Sequence, residues 1–165
     1  MNYVKITKND VANGPGVRVV LWVAGCSHGC PGCHNPETWD PESGENFGFE
    51  EVYDILRLID QPHIAGLTLS GGDPLFSQNR KEITRLCEKV KRLFPQKTIW
   101  CYTGFLWEDV HQDPIIKYLD VLVDGEYKAD KRNISLPYCG SENQRVIDVQ
   151  KSIKDGKVIL WEGGT

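Results

Sequence analysis

The sequence has no apolar run approaching the roughly 18 residues of a membrane-spanning helix, which excludes a helical span. It has no excess of positive charge. Its 19 Lys and Arg against 23 Asp and Glu leave a net charge of −4, so nothing draws it in general to nucleic acid or anionic lipid. The N-terminal stretch from Met1 to Asp10 lacks the apolar core of a secretory signal peptide. No linker, repeat or low-complexity tract divides the chain, so a single domain spanning residues 1–165 around one core is expected. The expectation is a soluble cytoplasmic protein with neither a membrane nor a nucleic acid as partner.

What is present is concentrated in one loop. Cys26, Cys30 and Cys33 fall within eight residues, in Gly25-Cys-Ser-His-Gly-Cys-Pro-Gly-Cys-His-Asn35. Three thiolates are soft ligands for an iron–sulfur cluster, zinc or copper(I), and they leave one coordination position open. An open position is where a metal centre does chemistry. Other readings compete for the same residues. Cys30-Pro-Gly-Cys33-His34 matches a c-type haem attachment site, but that leaves Cys26 unexplained and normally requires export. A thioredoxin-like redox pair needs a helix beginning at its first cysteine, and Pro36, Pro41 and Gly44 argue against one. A structural zinc site wants a fourth ligand, and His34 directly adjoins Cys33, an awkward neighbour for tetrahedral closure. The cysteines alone leave both a cluster with an open iron and zinc in play. Cys87, Cys101 and Cys139 are scattered, and their expected role is as small buried hydrophobes.

Periodicity supplies the frame. Val17 to Ala24 is β-branched and apolar on both faces, as in a buried parallel strand. Phe49 to Ile59 carries Val52, Ile55, Leu56 and Ile59 at helical spacing, and Gly66 to Ser70 reads as a strand running into Gly71-Gly72-Asp73-Pro74. Ile83, Leu86, Val90 and Leu93 mark a second helix closed by Pro95, and Thr98 to Tyr102 a third strand. A shorter helix between Trp107 and Leu119, broken at Pro114, precedes the strand Val121 to Val123. Gln144 to Trp161 reads as two strands around a hairpin at Asp155-Gly156, covering a sheet edge or docking a partner.

Alternating strands and helices predict an α/β fold with right-handed crossovers and a mainly parallel sheet. The Cys26–Cys33 loop, Gly71 to Asp73, Thr103-Gly104 and Asp124-Gly125 each follow a strand, so they should converge on one cleft at the C-terminal edge. A full (β/α) barrel needs about 250 residues. A chain of 165 can build only a partial, open barrel, accessible to a substrate as large as another protein. Gly71 and Gly72 allow close backbone approach to a ligand, and Asp73 with nearby carbonyls can receive an ammonium group. In Asn13-Gly-Pro-Gly-Val-Arg18 the glycines and proline make a turn, and Arg18 is either a surface charge or a carboxylate partner. Thr103 and Asp124 could together form a small cation or ligand site.

Cys26-x3-Cys30-x2-Cys33 resembles the cluster motif of radical S-adenosylmethionine (SAM) enzymes. Ser70-Gly71-Gly72-Asp73-Pro74 is similar to the Gly-Gly-Glu element that holds the methionine amino group in that superfamily. Asn13-Gly-Pro-Gly-Val-Arg18 and Cys33-His-Asn-Pro-Glu-Thr-Trp39 narrow the likeness to glycyl-radical-enzyme activases. Tyr102-Thr103-Gly104, Asp124-Gly125 and Gly140-Ser-Glu-Asn-Gln144 resemble elements of the short branch that serves anaerobic ribonucleotide reduction.

The resemblance implies one [4Fe-4S] cluster held by Cys26, Cys30 and Cys33, with SAM bound near Gly32, Cys33, His34, Gly71, Gly72 and Asp73. It implies chemistry carried by cluster and SAM, with no side chain as general acid or base. The implied partners are the large subunit of an anaerobic ribonucleoside-triphosphate reductase and a low-potential electron donor such as flavodoxin. An activase for another glycyl radical enzyme, such as pyruvate formate-lyase, and a non-enzymatic iron–sulfur electron carrier or zinc-stabilised module are the alternatives. Two departures stand out. Gly32 occupies a position that is often aromatic and packs near the adenine, leaving His34 or main-chain groups for that task, and Asp73 is one methylene shorter than the usual glutamate.

Overall fold

A computed structural model describes residues 1–163. Seven strands form one sheet: β1 (Asn2–Asp10), β2 (Val17–Val23), β3 (Glu45–Asn46), β4 (Ile64–Gly71), β5 (Thr98–Tyr102), β6 (Val121–Asp124) and β7 (Arg145–Asp148). Their order across the sheet is β3-β1-β2-β4-β5-β6-β7, so the sheet is open, with β3 and β7 at its edges. The pairings β2·β4, β4·β5 and β5·β6 are parallel. Those of β1 with β2 and β3, and of β6 with β7, are antiparallel. The expected parallel sheet is therefore the centre of a mixed one. β1 and β3 carry no strong apolar alternation, and pairing with a neighbour rather than local pattern makes them strands.

Alternation along the central strands divides the sheet into two unlike faces. Val19, Leu21 and Val23 of β2, Leu67 and Leu69 of β4, Ile99 and Cys101 of β5 and Leu122 of β6 share one apolar cluster with the helices. Helix α1 (Phe49–Ile59) supplies Ile55 and Ile59, and α2 (Arg80–Leu93) supplies Ile83, Leu86 and Val90. Each such side chain fully buried contributes about 1.5–3 kcal/mol relative to exposure. The opposite face carries Arg18, Trp22, Thr68, Ser70, Trp100 and Tyr102 at the intervening positions, with Trp100, Val121 and Val123 packed against Tyr102, Tyr138, Cys139, Val146 and Trp161. That polar and aromatic face leads to the cleft.

Helix ends follow local chemistry. At α1 the Gly48 N–H donates to Glu51 Oε2 at 2.7 Å, and α2 ends in Lys91 and Arg92 ahead of Pro95, favourable at the negative end of the helix dipole. Between Trp107 and Leu119 the chain forms only the short α3 (Trp107–Val110) and a 3-10 turn at Ile116–Tyr118, on either side of Pro114 as expected.

Two expectations are corrected. Residues 144–161 do not form a tight hairpin: β7 runs into α4 (Val149–Asp155), where Asp148 accepts a hydrogen bond from the Lys151 N–H at 3.0 Å, and only after that helix does the chain return to pair antiparallel with β7 through an Ile147–Leu160 bridge. Gly156, at φ +66°, is the left-handed residue that ends that helix, so Asp155-Gly156 is a helix stop and does not itself join two strands. The segment does cover the sheet edge, through β7. Arg18 is neither a surface charge nor a carboxylate partner. It is fully buried, and its guanidinium donates to the Thr68 and Thr98 hydroxyls and to the Pro15, Leu67 and Thr98 carbonyls.

Candidate functional site

The segments after β2, β4, β5 and β6 meet at the C-terminal edge of the parallel strands, around a cavity of about 470 Å³. Cys26, Cys30 and Cys33 line it together with His34, Gly71, Gly72 and Asp73. Of the expected cofactor-binding residues Gly32 alone is not on its wall. Gly32 has φ +74° in the tight turn closed by the Cys33 N–H donating to the Cys30 carbonyl, which explains a glycine there without any ligand.

Main-chain bonds stitch the cysteine loop to the sheet. Gly25 N–H donates to the Thr38 carbonyl and Cys26 N–H to the Trp39 carbonyl, while Asp73 N–H donates to the Gly25 carbonyl and Gly72 N–H to that of Val23. A Cβ on Gly71 would stand 2.5 Å from the Val23 backbone, and one on Gly72 2.5 Å from the Gly25 carbonyl oxygen. The close approach these glycines permit is therefore to the strand and loop that carry the cysteines. Asn79, buried at the start of α2, locks the junction by donating to the Ala24 and Asp73 carbonyls at 2.8 and 3.0 Å.

The Asp73 carboxylate is 1% exposed and takes up four separate donors. They are the Leu75 N–H at 2.8 Å, the Thr103 hydroxyl at 2.9 Å, the Gly104 N–H at 2.9 Å and His28 Nε2 at 2.8 Å. His28, from within the cysteine loop, also places Nδ1 3.1 Å from Glu126 Oε1 and sets its ring edge-on to Phe105. The hydrogen bond to Asp73 is the main cause that raises the His28 pKa.

The three thiols are half-buried and unpaired. Burial pushes the Cys26 and Cys30 thiols up, opposed by main-chain donors from His28 and Gly29 at Cys26 and from Tyr127 at Cys30. Cys33 Sγ accepts the Asn35 N–H at 3.4 Å. Among the described residues no group of three or more His, Cys, Asp or Glu is gathered tightly enough for a single metal ion. A zinc ion would need its thiolate sulfurs about 2.3 Å from one point. Three thiols spaced around a shared cavity suit the separate corners of a [4Fe-4S] cluster, and the soft donor set suits its iron.

Several residues here were not singled out from sequence. Tyr127 lines the cavity with its ring 4.9 Å from that of His34, tilted by 43°. Cys139, expected to be a buried thiol, also lines the cavity and is half-buried, unlike the fully buried Cys87 and Cys101. His28 was readable as the histidine of Cys-x-His-x-Cys, whereas nothing local marks Tyr127 or Cys139. Thr103 and Asp124 do not share a cation site. Thr103 is committed to Asp73, and Asp124 is held by Arg145 and the Trp107 N–H.

Residues 12–147, which include most of the mixed sheet and the three-cysteine loop at its strand ends, match the family model described as a 4Fe-4S single cluster domain, which makes this an iron–sulfur domain. The chain is 46% identical over 146 residues to the anaerobic ribonucleoside-triphosphate reductase-activating protein of Enterobacteria phage T4, covering 88% of this chain and 93% of that one. It is 39% identical over 150 residues to the protein of that name in Escherichia coli K12, covering 88% and 97%. The protein of that name in Vibrio cholerae is 38% identical over 148 residues, covering 87% and 96%. The chain belongs to the family of anaerobic ribonucleoside-triphosphate reductase-activating proteins.

Proposed function

We propose that this chain is a radical SAM activase that generates the glycyl radical of an anaerobic ribonucleoside-triphosphate reductase. The observation that carries the reading is the meeting of Cys26, Cys30 and Cys33 with the Gly71-Gly72-Asp73 turn on one cavity. When bound, a [4Fe-4S] cluster would supply the electron that cleaves SAM to methionine and a 5′-deoxyadenosyl radical, the species that takes a Cα hydrogen from a glycine of the reductase large subunit.

The protein's own part is to bind, orient and exclude. Cys26, Cys30 and Cys33 would hold the cluster, and three thiolates would leave one of its irons open to SAM. The Gly71-Gly72-Asp73 turn, on the wall of the same cavity, would border the methionine end. His34 and Tyr127 offer the flat surface that Gly32 cannot, and this aromatic pair would be the support for the adenine. No side chain serves as general acid or base. We take residues 1–165 as one domain and read the open sheet as an incomplete (β/α) barrel, whose cavity at the strand ends admits the glycine-bearing loop of the partner. The electron comes from a low-potential donor such as flavodoxin. Six unpaired cysteines suit the reducing cytoplasm, and no helix among the described residues is long and apolar enough to cross a membrane.

The test is anaerobic reconstitution with iron and sulfide, reduction, and assay for 5′-deoxyadenosine with and without the reductase. Nucleoside release together with a glycyl-radical EPR signal on the reductase is expected. Cys26→Ala, Cys30→Ala and Cys33→Ala should each abolish cluster assembly. Full iron in the Cys30→Ala protein would sink the ligand assignment, and an intact cluster without SAM cleavage would make the chain an electron carrier instead.

A further inference from the structure

We infer that His28 is a positioning residue for the cluster loop, and that the Asp73 carboxylate is its anchor and not the receptor for the SAM ammonium group. The inference rests on the proposed cluster and deepens the assignment of its surroundings. The Asp73 side chain is the only acid in the Gly-Gly-Asp turn, and the resemblance gives it to the methionine amino group. Its geometry gives it other work. A carboxylate has about four lone-pair sites. Those of Asp73 already face the Leu75 N–H, the Thr103 hydroxyl, the Gly104 N–H and His28 Nε2, and the side chain is 1% exposed. An incoming ammonium would have to displace one of these partners.

Three separate motifs resolve into one device through this carboxylate. The cysteine loop contributes His28, the turn after β4 contributes Asp73, and the turn after β5 contributes Thr103 and Gly104. Gly104 has a steric reason to be glycine. A Cβ there would lie 2.5 Å from His28 Cδ2 and 2.6 Å from Nε2, so the ring reaches Asp73 only because residue 104 has no side chain. Phe105 holds the ring from one side at 4.6 Å between centroids, and Glu126 receives the second ring nitrogen. His28 lies between two proposed cluster ligands in sequence. Fixing its side chain to the strand edge fixes the orientation of Cys26 and Cys30 relative to the Gly71-Gly72 turn. Groups behind the ligands of a metal site act in this way, and losing one typically costs roughly 10–100-fold in metal affinity or activity.

The experiment compares reconstituted wild type with His28→Ala, His28→Gln, Asp73→Asn, Gly104→Ala and the His28→Ala/Asp73→Asn double variant, all without SAM. The readings are the EPR spectrum of the reduced cluster and the rate of iron release to a chelator; SAM affinity is measured separately. His28→Ala is expected to release iron roughly tenfold faster or more and to shift the SAM-free spectrum. Gly104→Ala should reproduce both changes by displacing the ring. His28→Gln, which keeps an N–H donor near the position of Nε2, should restore most of the wild-type behaviour, and the double variant should be no worse than the more affected single one. Wild-type iron release and spectrum in His28→Ala, with Asp73→Asn losing SAM affinity alone, would return the ammonium to Asp73 and overturn the inference. Additive effects in the double variant would also overturn it, by showing no linkage. Both results leave the activase reading intact, whereas a wild-type chain that assembles no cluster would remove that reading and this inference together.

Discussion

Arg18 Nε donates to Thr68 Oγ1 at 2.7 Å, and that hydroxyl donates in turn to the Asn13 carbonyl at 2.7 Å, so a buried cation ties the Asn13–Arg18 turn to the middle of the sheet. The guanidinium lies over the Trp100 ring at 5.7 Å and meets only neutral acceptors. Burial pushes its pKa down to about 10, which still leaves it charged at neutral pH. Five donors in a planar fork are what this site uses, and lysine has no such fork. Arg18→Ala should destabilise the fold by about 3 kcal/mol or more, because it strands several buried carbonyls and hydroxyls. Arg18→Lys should recover only part of the loss. Urea unfolding midpoints, read at constant m-value, measure both.

Gly66 in β4 faces Thr98 of β5 across a parallel pairing, and a Cβ at residue 66 would collide with the Thr98 backbone. Backbone on a neighbouring strand cannot rotate away as a side chain can. Gly66→Ala should therefore cost more than Ala65→Gly, its neighbour in the same strand. Thermal unfolding of the two variants compares them, and an unshifted midpoint in Gly66→Ala would show that the strands can separate without penalty.

Arg145 of β7 makes two bonds to Asp124 of β6, at 2.5 and 3.0 Å, and reaches Glu108 of α3 at 2.8 Å. Asp124 is fully buried and Glu108 is largely exposed, so the two pairs should not count equally. Arg145→Ala should cost roughly 3 kcal/mol by stranding a buried carboxylate, and Glu108→Ala under about 1 kcal/mol. The hydrogen bond from Arg145 lowers the Glu108 pKa. Its small stabilisation is therefore present above the ordinary carboxylate range and lost as pH falls through the lowered value. The stability difference between wild type and Glu108→Ala should shrink toward zero on that acid side, as denaturant titrations over a pH series would show.

Thiol reactivity should divide the cysteines in two. Cys87 and Cys101 are fully buried, and desolvation holds both pKa values far above the ordinary thiol range. They should resist alkylation in the native iron-free chain and react only after unfolding. Cys26, Cys30, Cys33 and Cys139, all half-buried at the cavity, should react in the native state, with mass spectrometry of the digested protein as the readout. Cluster assembly should protect the first three, and Cys139→Ala should take up a full complement of iron.

Local sequence carried the elements whose signals are repeated along one segment. The helix at Phe49–Ile59 and the strand at Thr98–Tyr102 have the limits that apolar spacing predicts. β1 was not legible, since its side chains are half-buried and it exists by pairing with β2. The Asp155-Gly156 pair misled because a left-handed glycine serves a hairpin and a helix end equally, and only the capped turn at Asp148 distinguishes them.

The order of residues alone established that three closely spaced thiols and glycine-rich strand ends are offered together, and at which edge of the sheet they collect, because residue spacing and strand-end position are properties of short stretches of chain. Tertiary structure alone decided which partner each polar group takes. His28, Asp73 and the Thr103-Gly104 pair lie far apart in sequence and meet within hydrogen-bond distance, as do Arg18 and Thr98. A carboxylate's role depends on whether its lone pairs face a cavity or other donors, and a cation's on whether burial leaves it acceptors. Both are set by packing between distant segments, which no local pattern encodes.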